Sequence, residues 1–428
     1  MIKEKVLHSF EAGRRGKPDE LEAVIAHLIG AHLLEIDRLS RFDLRVSGRY
    51  LQESDYLALH VSGEISRHLL ELPHIKEDIG RIVNSHYRFI DRHTQKSLAV
   101  YFDGLKSQSD NLSSNHNAGD SGNPIAVAYR YGPTFLPFER FIACSIRDLL
   151  DGIYLRRGQI LPQRMVEKSG IARLDGLLAD GKVIVDALYD GAKLDSIDSI
   201  TVHVQHEKTL PVLKLRDKLN KLIRAYIDNL QDAFNSDDLI SRGVVNLGKP
   251  TIKVNGLGDW NLGGWEADEG SREAKPPRDY FGSYGVVEDS PWGEDPTKPS
   301  GTGTFIARYI AVQIVANNLA DFARVSLRYN IGEEKVGLNI TTNGTGKVDQ
   351  RELHDWVMKN FPLKIEEVIQ LFDLRNPELY RKIADSADLF HRITDRATDT
   401  YGFPWNVPLI KKNLIRYFNP LTHPEGRS

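Results

Sequence analysis

The chain predicts an α+β fold of three related units in a pseudo-threefold arrangement, and three observations carry that prediction. A pair of strand patterns followed by a helical pattern recurs along the sequence at wide spacing. The length of 428 residues exceeds one simple core, at a prior of about 150 residues per domain. A hydrophobic content of 41% is enough to fill several such units. The composition shifts place their boundaries at residues 1–112, 113–243 and 244–428.

The elements follow in order. From Asp19 to Ile36, Leu21, Val24, Ile25, Leu28, Ala31, Leu33 and Leu34 recur at near-helical spacing. Pro18 suits the first turn of that helix, where its missing N–H costs nothing. Tyr56 to Ile65 and Ser97 to Phe102 read as strands. The stretch from Lys106 to Asn117 is rich in Ser, Asn and Asp and has too little apolar surface to pack, so it predicts a loop that acts as a lid. A helical pattern returns from Pro137 to Ile153, followed by strand patterns at Val183 to Leu188 and Ser199 to His206 and a helix from Leu213 to Asp232. The third round comprises Val325 to Ile331, Val336 to Thr341 and a helix from Gln350 to Asn360. Between the second and third rounds, Asn255 to Gly303 is dense in Gly, Pro, Asp and Glu. Stretches of that length inside a compact protein are usually functional.

Composition narrows the function. The 56 Lys+Arg against 59 Asp+Glu give a formal charge of -3, which offers no global attraction to nucleic acid or to an anionic membrane. The single cysteine, Cys144, has no partner for an internal disulfide, fits a reducing compartment, and reads as a buried structural thiol. Met1 to Ala23 lacks the apolar core of a secretory signal, and Phe305 to Leu319 is interrupted by Arg308, Gln313 and Asn317, so it reads as a core helix. A cytoplasmic protein with neither nucleic-acid nor membrane partners is expected.

Six clusters stand in fixed order: Gly16-Lys17-Pro18-Asp19, Gly63-Glu64-Ile65-Ser66, Gln108-Ser109-Asp110, Ala118-Gly119-Asp120-Ser121-Gly122, Val204-Gln205-His206 and Asp295-Pro296-Thr297-Lys298. Three of them, and Lys168 outside them, also have a plain structural reading. Gly119 to Gly122 suits a turn, Asp19 suits a helix N-terminus, Lys168 suits a solvated surface, and Gln205-His206 suits the end of a strand. Taken together, from about Gly16 to Pro408, they resemble the S-adenosylmethionine synthetase family. Arg328-Tyr329-Asn330-Ile331-Gly332 and Tyr401-Gly402-Phe403-Pro404-Trp405 extend the match.

The resemblance implies an S-adenosylmethionine synthetase-like fold and transfer of an adenosyl group from ATP, or a related nucleotide, to the sulfur of methionine or a methionine-like amino acid, with polyphosphate release. It implies Mg2+, admits K+ as a second cation, and implies a homodimer, with a tetramer as the larger assembly, whose sites form between two subunits. Glu64, Gln108 and Asp120 match residues that grip the amino acid. Asp259 would support them, and Ile331 would lie beside the nucleoside. Lys17, Lys168 and Lys298 would stabilise the departing phosphates, and Asp19 would hold magnesium.

The departures fall on the phosphate side. Lys17 stands in place of a histidine, Val166 in place of an aspartate two positions before Lys168, Trp265 and Glu266 in place of an Arg-Lys pair, Glu294 in place of a lysine, and Ser300 in place of a metal-binding aspartate. A carboxylate ~4 Å from a phosphate oxygen costs on the order of 4 kcal/mol at an effective dielectric near 20. Two reversals of that size outweigh what Lys168 and Lys298 restore, unless Glu266 and Glu294 recruit magnesium or Arg272, Lys275 and Arg278 fill the gap. Three readings follow: the family's adenosyl transfer, the same fold with another nucleotide or nucleophile, and a non-catalytic ligand-binding homologue.

Overall fold

The computed structural model describes residues 5–51, 55–93, 96–109, 117–160, 163–236, 245–270, 281–284, 290–391, 402–410 and 414. Among the described residues, ten strands form three open sheets in a mixed α+β architecture. Strand β1 (Val6–Gly13) pairs antiparallel with β6 (Leu177–Asp190), which pairs with β7 (Lys193–His206), and β8 (Thr251–Val254) adds in parallel. A second sheet orders β2 (Phe42–Leu51), β3 (Tyr56–Ile65) and β4 (Ser97–Ser107). The third orders β10 (Gly337–Thr341), β9 (Phe322–Arg328) and β5 (Ile125–Tyr129).

Helix α1 (Pro18–Ile36) is apolar on nearly every side because it lies between β2 and other helices. Its Ile25, Ile29, Leu33 and Leu34 share a core with Phe42, Leu44 and Val46 of β2. Two helices follow β3: α2 (Arg67–Leu70) and α3 (Ile75–Ile90). The latter buries Ile75, Ile79, Val83, Tyr87 and Ile90 on one face, a period of close to four residues. Helix α4 (Phe138–Leu155) packs on β1 and β6, and Cys144 is buried within it beside Arg140 and Asp388, where burial pushes its thiol up. Two more helices pack together, α5 (Gln163–Ser169) and α6 (Val212–Ser236). Helix α7 (Pro299–Ala316) crosses β5 and β9 with almost every side chain buried. Three short helices, α8 (Gln350–Asn360), α9 (Ile365–Phe372) and α10 (Pro377–Ser386), close the described fold.

Most strand and helix patterns lie where the sequence puts them. Strand β4 runs to Ser107, so Lys106 is a strand residue rather than part of a loop, while β9 stops at Arg328 and leaves Ile331 beyond it. No described helix is long and apolar enough to cross a membrane.

Candidate functional site

Strand alternation sets up the first half of the site. Along β2, Phe42, Leu44 and Val46 are buried, whereas Asp43 and Arg45 occupy the opposite, half-buried face. Register places Glu64 of β3 opposite Asp43, and Lys106 of β4 opposite Glu64, with 3.2 Å between the last two charges. Gly63 has φ +111, and a Cβ there would fall 1.9 Å from the Asp43 carbonyl oxygen, so only glycine lets these strands close beside Glu64. Gln108 is buried just past β4, its backbone N–H donating to Ile65 at 2.9 Å.

The segment carrying Asp120 is tied to two others. Gly119 N–H donates to the Thr297 carbonyl at 2.9 Å, the Ser121 hydroxyl accepts the Ile331 N–H at 2.9 Å, and Gly332 N–H donates to Ala118 at 3.0 Å. Lys298, at the N-cap of α7, completes the junction: its Nζ lies 2.9 Å from Asp120 and 3.0 Å from Asp43. Burial opposes its charge, but the carboxylates outweigh that and hold the ammonium protonated. Contacts thus gather Glu64, Gln108, Asp120, Lys298 and Ile331 into one place.

The loop before α7 alters the expected picture of Glu294. Leu44 N–H donates to Gly293 at 2.8 Å and Asp295 N–H to Phe42 at 2.9 Å, so this loop lies along β2. Glu294 is only 5% exposed, receives the Ser300 hydroxyl, and has Arg45 Nη2 at 3.6 Å. Burial and neighbouring Asp43 push its carboxyl up to about 8. It is not the bare reversed charge that the sequence comparison suggests, because a cation and a hydroxyl stand beside it. Ser300 serves Glu294 rather than taking up the role of a metal-binding aspartate.

The second half of the site stands at the start of α1. Gly16 N–H donates to Ala179 of β6 at 3.2 Å, and Lys17 occupies the N-cap with its ammonium on the Asp19 carboxylate. Asp180, next along β6, accepts the N–H groups of Gly181 at 2.6 Å and Gly264 at 2.8 Å. Burial raises its carboxyl above the usual range, with those donors, Lys17 and Arg14 opposing the shift. Asp180 is a candidate site residue that none of the sequence motifs contains. Its spacing to Lys182 is the aspartate-x-lysine spacing that Val166 and Lys168 lack, and it is the signal that locates it.

Lys168 is corrected accordingly. It lies on α5 with its Nζ 2.6 Å from Asp232 of α6, a carboxylate also held by Arg164 at 2.9 Å. This is a solvated pair joining two helices.

Asp259 has a structural task as well: its carboxylate accepts the Val212 N–H at 2.9 Å at the start of α6. His206 is fully buried, and its Nε2 accepts the Trp260 N–H at 3.1 Å while its backbone carbonyl accepts from Asn261 at 2.8 Å, so it fixes the 259–261 loop. Trp265 stacks on Tyr87 at 5.0 Å and donates to Glu22 at 3.0 Å. It is a core side chain and takes no phosphate-gripping place. Arg272, Lys275 and Arg278 lie outside the described residues, as do positions 110–116 of the expected lid.

Magnesium takes oxygen ligands and is commonly held by one or two carboxylates together with substrate phosphates and water. Asp19 and Asp180, both close to Lys17, suit that mode. Among the described residues there is no group of three or more His, Cys, Asp or Glu arranged for an ion.

Comparison with known proteins places the chain among similar sequences. Residues 262–398 match the family model described as S-adenosylmethionine synthetase, C-terminal domain. The chain is 28% identical over 388 residues to an S-adenosylmethionine synthase of Aquifex aeolicus (strain VF5), covering 88% of this chain and 92% of that one. It is 26% identical to one from Desulforudis audaxviator (strain MP104C), over 89% and 92% of the two chains. A third, from Synechocystis sp., is 32% identical over 60% of this chain and 57% of its own length.

Proposed function

We propose, for a chain that belongs to the S-adenosylmethionine synthetase family, that it transfers the adenosyl group of ATP to the sulfur of methionine and releases polyphosphate. The observation that carries this reading is the convergence of Glu64, Gln108, Asp120, Lys298 and Ile331, from five separate segments, on one place. A transferase that binds a small zwitterion needs this arrangement: carboxylates for an ammonium, a cation for an anion and a surface for a ring.

In the reaction the sulfur lone pair attacks the ribose 5′ carbon, the 5′ C–O bond breaks, and its electrons leave with the polyphosphate. The sulfur becomes a sulfonium. No covalent enzyme intermediate is required, so the protein works by orientation and charge. Asp120 and Glu64 bind the ammonium, and Gln108 fixes the amino acid by hydrogen bonding. Lys17 stands where negative charge develops on the leaving oxygen. Asp19 and Asp180 would hold Mg2+, which when bound neutralises phosphate charge. K+ would supply further positive charge.

The two halves stand on different elements, and a homodimer in which one subunit's α1 end completes the other's Asp120 side is part of the proposal, with a tetramer as its larger form. A soluble cytoplasmic enzyme of one-carbon metabolism fits this chemistry. Glu294 and Ser300 favour a second reading with the same fold, in which another nucleotide or amino acid is used. Methionine-dependent release of polyphosphate from ATP with Mg2+ tests the first reading: release that needs methionine supports it, and release indifferent to methionine contradicts it.

A further inference from the structure

We propose that Arg45 is a binding residue for the anionic tail of the substrate, supplying from β2 the positive charge that the chain lacks at Glu294. The inference rests on the proposed site and adds to it a residue that none of the sequence motifs contains.

Backbone pairing along β2 fixes where Arg45 is held. It shares the polar face of β2 with Asp43, and the Gly293–Asp295 segment is bonded along the same strand, so Arg45 and Glu294 are brought side by side by backbone pairing. Arg45 donates to Asp43 and, at 3.1 Å, to the Leu44 carbonyl. Its distance of 3.6 Å from Glu294 exceeds hydrogen-bond length, making this a loose ion pair. The Arg45 side chain is 28% exposed against 4% for Glu294, so the guanidinium lies on the solvent side of the pair. A planar guanidinium suits a phosphate oxygen pair better than an ammonium does.

Charge counting supports the assignment. Arg45 and Lys298 face Asp43, Asp120 and Glu294, so the ionised cluster carries one excess negative charge and repels a phosphate. Two events reverse this. A substrate ammonium occupies Asp120 and releases Lys298 from one of its two carboxylates. Glu294, raised to about 8 by burial and Asp43, already holds its proton at neutrality and takes one up on binding only at higher pH, where it is ionised. Arg45 and Lys298 are then opposed by Asp43 alone. The anion therefore binds together with the amino acid and, above about pH 8, with a proton as well.

Calorimetric titration of the full-length protein with inorganic tripolyphosphate, in Mg2+ and saturating methionine, tests this. Arg45→Met should bind at least about tenfold more weakly, as expected for loss of a charge-assisted bond, and Arg45→Lys should recover part of the loss. Repeating the titration at pH 8.5, where Glu294 is largely ionised in the free protein, in buffers of different ionisation enthalpy should show proton uptake in the unmodified protein and none in Glu294→Gln. Unchanged affinity in a folded Arg45→Met, or no tripolyphosphate binding by the unmodified protein, overturns the assignment. Arg45-dependent binding without any adenosyl product would instead defeat the proposed reaction while leaving Arg45 in place. Normal adenosyl transfer with Arg45-independent binding would do the reverse.

Discussion

Replacing Glu294 by Gln should stabilise the protein, and increasingly so as pH rises. Gln keeps the shape of a protonated Glu294 and has no charge to bury. Burial and Asp43 raise the carboxyl from 4.5 to about 8 in the folded state, so folding takes up a proton across that window. Below about pH 4.5 both states are protonated and the favourable contribution is complete. As pH climbs toward 8 the unfolded chain ionises and the folded one resists, so stability is lost. At 1.36 kcal/mol per unit, the difference between variant and parent should grow from under about 1 kcal/mol at pH 5 to about 4 kcal/mol at pH 7.5. Glu22, raised to about 8, and Glu139, raised to about 7, add the same slope to both proteins and cancel in the comparison. Urea unfolding at pH 5.0, 6.5 and 8.0 reads the difference directly. A variant whose advantage is the same at all three values, or shrinks as pH rises, would refute the burial argument.

Three further outcomes are expected. Asp120→Asn should weaken amino-acid binding by more than roughly tenfold, since a charge-assisted bond contributes ~1.5–3 kcal/mol, and unchanged calorimetric affinity would remove Asp120 from the site. Lys168→Ala should cost at most about 1 kcal/mol of stability, as exposed pairs do, with turnover intact, whereas Asp180→Asn should depress turnover; the opposite pattern in steady-state rates would restore Lys168 to the site. Trp265→Ala should cost about 3–5 kcal/mol in urea unfolding through the cavity it leaves, and a loss below about 1 kcal/mol would show that the ring is not the core plug its stacking on Tyr87 indicates.

The sequence was most legible where one physical rule acted alone. Tyr56–Ile65 and Gln350–Asn360 appear at their expected bounds because alternation and helical period are undisturbed there. Helix α3 shows the same kind of period through Ile75, Ile79, Val83 and Tyr87, a signal present in the chain but obscured by its charged face. Strand β2 was hidden because its half-buried positions carry Asp43 and Arg45 in place of the β-branched and aromatic residues that mark strands. In the candidate site, Glu64, Gln108 and Asp120 could be nominated for the amino-acid side because they sit in local motifs. The other side depends on pairings across long separations, such as Arg45 with Glu294 and Asp180 with Gly264, which no window of sequence contains. Lys168 shows the converse: a lysine followed by serine matches the motif locally, while its helix pairs it with Asp232.

Mass spectrometry of the products formed from ATP, Mg2+ and methionine labelled with 13C in its methyl group tests the central claim most directly. The account predicts a labelled adenosyl sulfonium, formed in step with polyphosphate and strongly reduced in Asp120→Asn. Labelled methionine recovered unchanged while ATP is consumed, or a sulfonium yield untouched by that substitution, would contradict it.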